Sequence, residues 1–160
     1  MLADIAVNEI FKVVVSDMTA FWCNNTYYEL TLYMDLFNNE IVSYAISTTK
    51  GDRNTYINGL NDLIEKKKEY KTLKMILHSD QGSVYSSKSF NEIIPLYNIT
   101  HSMSSAGTPT DNSAMEAINE WLKEELFNDF KIKEQEDTIK CIEEYFQYSK
   151  TFLFFKLLNP

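Results

Sequence analysis

Three widely spaced carboxylates carry the chemistry this sequence can offer. Asp80 follows the apolar run Met75-Ile76-Leu77 within His78-Ser79-Asp80-Gln81-Gly82, where a buried strand would emerge into a loop. Glu116 lies in a stretch with helical periodicity, and thirty-five residues separate the two. Asp17 closes an earlier β-rich run over residues 7–16 and adds a third carboxylate at a strand end. Carboxylates gathered from two strand ends and a facing helix suit hard divalent cations, because Mg²⁺ takes oxygen ligands and keeps waters or phosphate oxygens in its other positions. Two such ions can activate an attacking oxygen and stabilise a departing one in a phosphodiester displacement. Taken singly, each of these acids would more often be a solvated or capping residue than a ligand.

The elements that must position them are readable in outline. The turn signals Asn24-Asn25 and Asn38-Asn39 separate β-rich runs at 7–16, 27–37 and 41–46, which predicts an antiparallel meander. From about residue 54 the period changes, with Tyr56, Ile57, Leu60, Leu63 and Ile64 at helical spacing and the run Glu65-Lys66-Lys67-Lys68-Glu69 suited to an exposed last turn. A strand over 72–77, a helix capped by Ser86 or Ser87 and running to about 97, and a strand over 99–103 follow. Residues 104–109 read as a loop, and Asp111 can cap a long helix whose buried stripe is Ala114, Met115, Ile118, Leu122 and Leu126. Glu116, Asn119, Glu120 and Lys123 then fall on its other side. A last helix spans about 135–155. The order predicts an α/β fold with a five-stranded mixed sheet flanked by helices, a core over 1–130 and a helical extension of the same domain over 131–160. If the fourth strand lies parallel to the first, Asp17 and Asp80 meet at one sheet edge.

Composition removes several alternatives. The chain has 160 residues, 44% of them hydrophobic, with three prolines and four glycines, as an ordered single domain would. No window is apolar enough for a membrane span and the N-terminus lacks the pattern of a signal peptide, so a cytosolic protein is expected. Cys23, Cys141, His78 and His101 lack the paired spacing of a zinc site. There is no Gly-x-Ser-x-Gly elbow and no Gly-rich phosphate loop. A net charge of −8 argues against binding nucleic acid by charge alone, although a cation site concentrates carboxylates and DNA contact can be delegated. Secondary candidates are Glu120 and Asp35 as ligands, and His78, which shares a strand face with Asp80 and could equally be a hydrogen-bonded structural residue. Gln81, Gly82 and Asn112 could shape the loop around the metals, and Gln81 and Asn112 are also candidates for contact with DNA. Trp22 and Trp121 could stack on bases, with core or interface packing the stronger reading.

Taken together, Ser16-Asp17-Met18-Thr19, Met34-Asp35-Leu36-Phe37, His78-Ser79-Asp80-Gln81-Gly82-Ser83-Val84-Tyr85, Gly107-Thr108-Pro109 and Asp111-Asn112-Ser113-Ala114-Met115-Glu116 with Leu122-Lys123 resemble the integrase core of bacterial insertion-sequence 3 family transposases. The resemblance runs from about residue 7 to 127. It implies an RNase H-like fold and an Asp-Asp-Glu triad at Asp17, Asp80 and Glu116, holding two Mg²⁺ or Mn²⁺. It implies a DNA-contacting basic residue at Lys123, and nicking at a transposon end followed by attack of the freed 3′-hydroxyl on a second phosphodiester. The partners it implies are double-stranded DNA, further copies of the chain in the active complex, and a separate N-terminal helix-turn-helix part. Where the family continues with Tyr-Asn-x-x-Arg-x-His, this chain has Tyr148-Ser149-Lys150-Thr151-Phe152-Leu153-Phe154-Phe155, without the Arg and His. A catalytically inactive module and a plain RNase H-like nuclease are the competing expectations.

Overall fold

The structure, a computed structural model, describes residues 5–70, 73–82, 84–104 and 113–158, without the side chains of 89, 113, 114 and 150–158. Three long strands come first: β1 (Val13–Cys23), β2 (Thr26–Asp35) and β3 (Glu40–Ser47). The β1–β2 turn is made by Asn24 and Asn25, both at positive φ, 48° and 62°. Asparagine tolerates that region, and a two-residue turn of this hand matches the twist of the strands it joins. Helix α1 (Arg53–Lys67) is capped by the Asp52 carboxylate, which accepts the Asn54 N–H at 3.0 Å. Strand β4 (Met75–Ser79) follows, then α2 (Lys88–Ile93), capped by Ser87, and a 3₁₀ turn over Ile94–Tyr97 where Pro95 ends regular α-helix. Strand β5 (Ile99–Met103) and helices α3 (Ser113–Asn128) and α4 (Thr138–Leu158) complete the order.

The sheet order is β3-β2-β1-β4-β5, with β1–β2 and β2–β3 antiparallel and β1–β4 and β4–β5 parallel, so the mixed five-stranded sheet is as expected. The strand boundaries differ from expectation: β1 begins at Val13 rather than at residue 7, and β4 is Met75–Ser79 rather than 72–77. β1 does not end at Asp17 but runs on to Cys23, paired with β2 throughout. Its pairing with β4 stops at Ser16↔Ser79, so beyond that point only β2 accompanies it.

Alternation along the strands divides the core between the two faces. Val15, Phe21, Leu30, Leu32 and Met34 pack under Met115, Leu122 and Leu126 of α3 and Cys141, Ile142, Tyr145 and Phe146 of α4. Val14, Tyr33, Val42 and Leu77 pack on the other face under Tyr56, Leu60 and Leu63 of α1 and Phe90 of α2. Burying each large apolar side chain contributes roughly 1.5–3 kcal/mol, enough to fix which helix covers which face. The last helix is part of this packing: Phe146 stacks on Tyr44 of β3 with ring centroids 4.0 Å apart.

Candidate active site

The parallel register sets the site. Val15 pairs with His78 and Ser16 with Ser79, so the next pair along, Asp17 and Asp80, project from neighbouring strands at one edge. Asp17 shares the face of Val15, the face covered by α3, and Glu116 stands in the first turn of that helix. An acid in a first turn also complements the helix dipole. Burial pushes the Asp17 carboxyl up to about 6, opposed by the Met18 amide, and the charges of Asp80 and Glu116 add to the rise. Asp80 and Glu116 are thus within electrostatic reach of Asp17.

Two of them are held by neutral donors. Asn119 Nδ2 donates to Asp17 Oδ2 at 2.8 Å. The Gly82 N–H donates to Asp80 Oδ1 at 2.9 Å. The Asn119 side chain, expected on the outer face of its helix, is 8% exposed, and its buried Oδ1 has no hydrogen-bond partner among the described residues. It lies one turn beyond Glu116, the only cue a sequence reading had, and helical periodicity assigned that position to solvent. A second brace lies on the opposite face: Ser16 Oγ and Tyr85 Oη are 2.7 Å apart, both groups buried. This bond ties the residue beside Asp17 to the loop that leaves Asp80.

The remaining candidates divide between the site edge and other surroundings. His78 is buried beside Val15, its Nδ1 3.1 Å from Ser102 Oγ. Gln81 donates from Nε2 to the Ser104 carbonyl at 3.0 Å, joining the Asp80 loop to the chain after β5. Lys123 is half-buried two turns along α3 from Glu116 and, among the described residues, enters no ion pair. Glu120 lines a groove with Met34, Asn39, Ala117, Ile118, Trp121 and Glu124, away from Asp17. Asp35 accepts the Phe11 and Phe37 amides at 2.5 and 2.7 Å, which occupies both its oxygens at the far end of β1. Trp22 and Trp121 are 65% and 60% exposed, so neither is a core residue. Asn112 and Asp111 lie outside the described residues.

The oxygen-only donor set, with Asp17 raised by burial and further by the charges of the other two, fits a hard divalent cation in kind. In spacing, no three His, Cys, Asp or Glu side chains among the described residues stand close enough to share an ion. Asp80 and Glu116 must therefore turn toward Asp17 for one ion to be held in common.

A mixed sheet of this order, with acids at the edge between its first and fourth strands under a flanking helix, defines the RNase H-like class of integrase catalytic cores. Residues 8–109 match the integrase core domain, and the chain belongs to that family. The insertion-sequence 3 resemblance holds as well. The chain is 33% identical over 149 residues to a putative transposase for insertion sequence element IS150 of Escherichia coli, covering 91% of this chain and 52% of that protein. It is 30% identical over 157 residues to the transposase for insertion sequence element IS904 of Lactococcus lactis, covering 91% and 58%. The chain thus spans little more than half the length of these relatives. A chain of the simian T-cell lymphotropic virus intasome superposes with a TM-score of 0.72 at 20% identity, over 85% of this chain and 47% of that one. The HTLV-2 integrase catalytic core domain in complex with magnesium superposes at 0.63 and 16% identity, over 84% and 81%. At these identities the structural likeness shows the fold.

Proposed function

We propose that this chain is the catalytic core of a DNA transposase, cutting a phosphodiester at a transposon end by hydrolysis and joining the freed 3′-hydroxyl to target DNA. The observation that carries the reading is the edge between β1 and β4, where Asp17 is raised to about 6 by burial and by the charges of Asp80 and Glu116. Asp17, Asp80 and Glu116 would hold two Mg²⁺ or Mn²⁺, which when bound supply activation of the attacking oxygen and stabilisation of the departing one. The magnesium in the HTLV-2 core's structure supports that choice of ion.

The chain's own part in the reaction is orientation. Asn119 fixes one oxygen of Asp17, and the Gly82 amide does the same for Asp80. Gln81, bonded to Ser104, ties the start of the loop after β4 to the chain after β5. Lys123, Asn112 and Gln81 are assigned to contact with DNA, and His78 supports Asp80 from within the sheet. Residues 131–160 serve as an extension that completes the α3 face. Sequence-specific binding falls to a separate helix-turn-helix part, which accommodates the net charge of −8, and the active complex holds more than one copy of the chain. The reaction takes place in the cytoplasm.

The test supplies the purified chain with a duplex carrying the inverted repeat that flanks its gene, a target duplex, and Mg²⁺ or Mn²⁺. The reading expects both hydrolysed and joined products, dependent on the metal. Hydrolysis without joining would identify a plain nuclease. Neither product with either metal would identify an inactive module.

A further inference from the structure

The tip of the β1–β2 hairpin and the loop before α1 form a surface with no part in the chemistry above. Trp22 is 65% exposed, and its ring packs edge-on against Tyr27 with centroids 5.6 Å apart. The register pairs Trp22 with Tyr27, Ala20 with Glu29 and Met18 with Thr31, so these side chains share one face of the hairpin, the face covered further along by α1. Glu29 is buried; its Oε2 accepts the Tyr27 hydroxyl at 3.0 Å and the Gly51 N–H at 3.0 Å. That carboxylate fastens Lys50-Gly51-Asp52-Arg53 to the aromatic hairpin.

Lys50 and Arg53 are exposed, and among the described residues neither enters an ion pair. Asp52, between them, is taken up by the Ser47 hydroxyl and the Asn54 amide. Arg53 is the only arginine in an acidic chain. It stands in the first turn of α1, where a cation opposes the helix dipole, so the stability of that helix does not account for it. Trp22 faces the α1 side of the sheet and Asp17 the α3 side, and the way between them runs round the edge of β1, which β4 leaves unpaired beyond Ser16. Trp22 lies five residues beyond Asp17 on an extended strand, about 17 Å away, a reach of a few nucleotides.

Aromatic faces beside exposed cations are the chemistry that holds unpaired nucleotides: bases stack on the rings and phosphates pair with Lys and Arg. We infer that Trp22 and Tyr27, with Lys50 and Arg53, hold the unpaired DNA strand that runs on from the phosphodiester at the Asp17–Asp80 edge. This rests on the reading of that edge as a site of DNA strand transfer.

The test is binding, measured without divalent metal in the full chain carrying Trp121→Phe, so that Trp22 is the only tryptophan. Its fluorescence is titrated with a blunt duplex and with the same duplex bearing a single-stranded overhang of about six nucleotides. The overhang should quench Trp22 and tighten binding, and Trp22→Ala or Arg53→Gln should weaken that binding by about 5- to 100-fold while changing blunt-duplex binding less. Equal binding of both DNAs by every variant would overturn the inference. So would fluorescence that follows protein concentration alone together with sedimentation as a dimer, because the face would then belong to a second copy. Joining of DNA ends at an unchanged rate in Trp22→Ala, with no loss of overhang affinity, would sink this surface and leave the catalytic reading standing. Trp22-dependent overhang binding by a chain that joins no ends would do the reverse.

Discussion

A Cβ at residue 82 would stand 2.9 Å from Asp80 Oδ1, the same oxygen that accepts the residue's own N–H. The obstacle is the tip of a flexible side chain, so in Gly82→Ala the Asp80 carboxylate swings aside at little expense to the fold. Thermal unfolding should shift by less than about 1 kcal/mol, while the strand transfer proposed for this chain, which would need that carboxylate in place, should fall by about a hundredfold. Equal losses of stability and rate would remove the positional reading of Gly82. Asp17 carries a pH dependence with a definite sign. Its folded-state value lies near 6 against 3.8 for the free group, so the folded state binds the proton more tightly, and metal-free stability falls as pH rises from about 4 to 6. At pH 7 the shift amounts to roughly 3 kcal/mol at most. Asp17→Asn should therefore raise the unfolding midpoint of the metal-free chain at neutral pH and flatten its profile between pH 4 and 6, as pH-resolved thermal melts would show.

At the scale of elements, the parallel pairing of β1 with β4 brings Asp17 and Asp80 to one edge, and the Ser16–Tyr85 bond sets how far the Asp80 loop stands from β1. Tyr85→Phe leaves the Ser16 hydroxyl buried without that partner, a cost of about 1–3 kcal/mol in denaturant unfolding. The same variant should lower kcat at saturating DNA more than it raises KM, because it loosens the carboxylates without touching the DNA; a change confined to KM would contradict this. The strands and helices were largely legible in the sequence, since Asn24-Asn25, the Ser87 cap and the stripe of Met115, Leu122 and Leu126 are local signals. The end of β1 was not. Ser16-Asp17-Met18-Thr19 breaks the apolar run, and what extends the strand to Cys23 is its pairing with β2, a partner on the far side of a turn. Asn119 was assigned to solvent for a similar reason: its burial follows from a hydrogen bond to a residue 102 positions away, which no helical period records.

At the scale of the molecule, two apolar layers clamp one sheet, and the acids gather where β4 ends and β1 runs on alone with β2. The three candidate acids, Asp17, Asp80 and Glu116, stood out in the sequence because type, spacing and the resemblance agreed on them. What holds those acids, the Asn119 and Gly82 donors and the Ser16–Tyr85 brace, exists only once distant segments meet. The exposure of Trp22 was half legible: stacking on bases was one reading of it, but an aromatic residue in a β-rich run is more often packed. The central claim is that one edge of this fold carries out metal-dependent strand transfer with three carboxylates. Its most direct test is the rate at which a 3′-hydroxyl DNA end is joined to target DNA in Mg²⁺ or Mn²⁺, compared among the natural chain and Asp17→Asn, Asp80→Asn and Glu116→Gln, each checked for folding by circular dichroism. The account predicts that each substitution lowers the rate by at least about a hundredfold. Joining at the natural rate in any one of the three would contradict it.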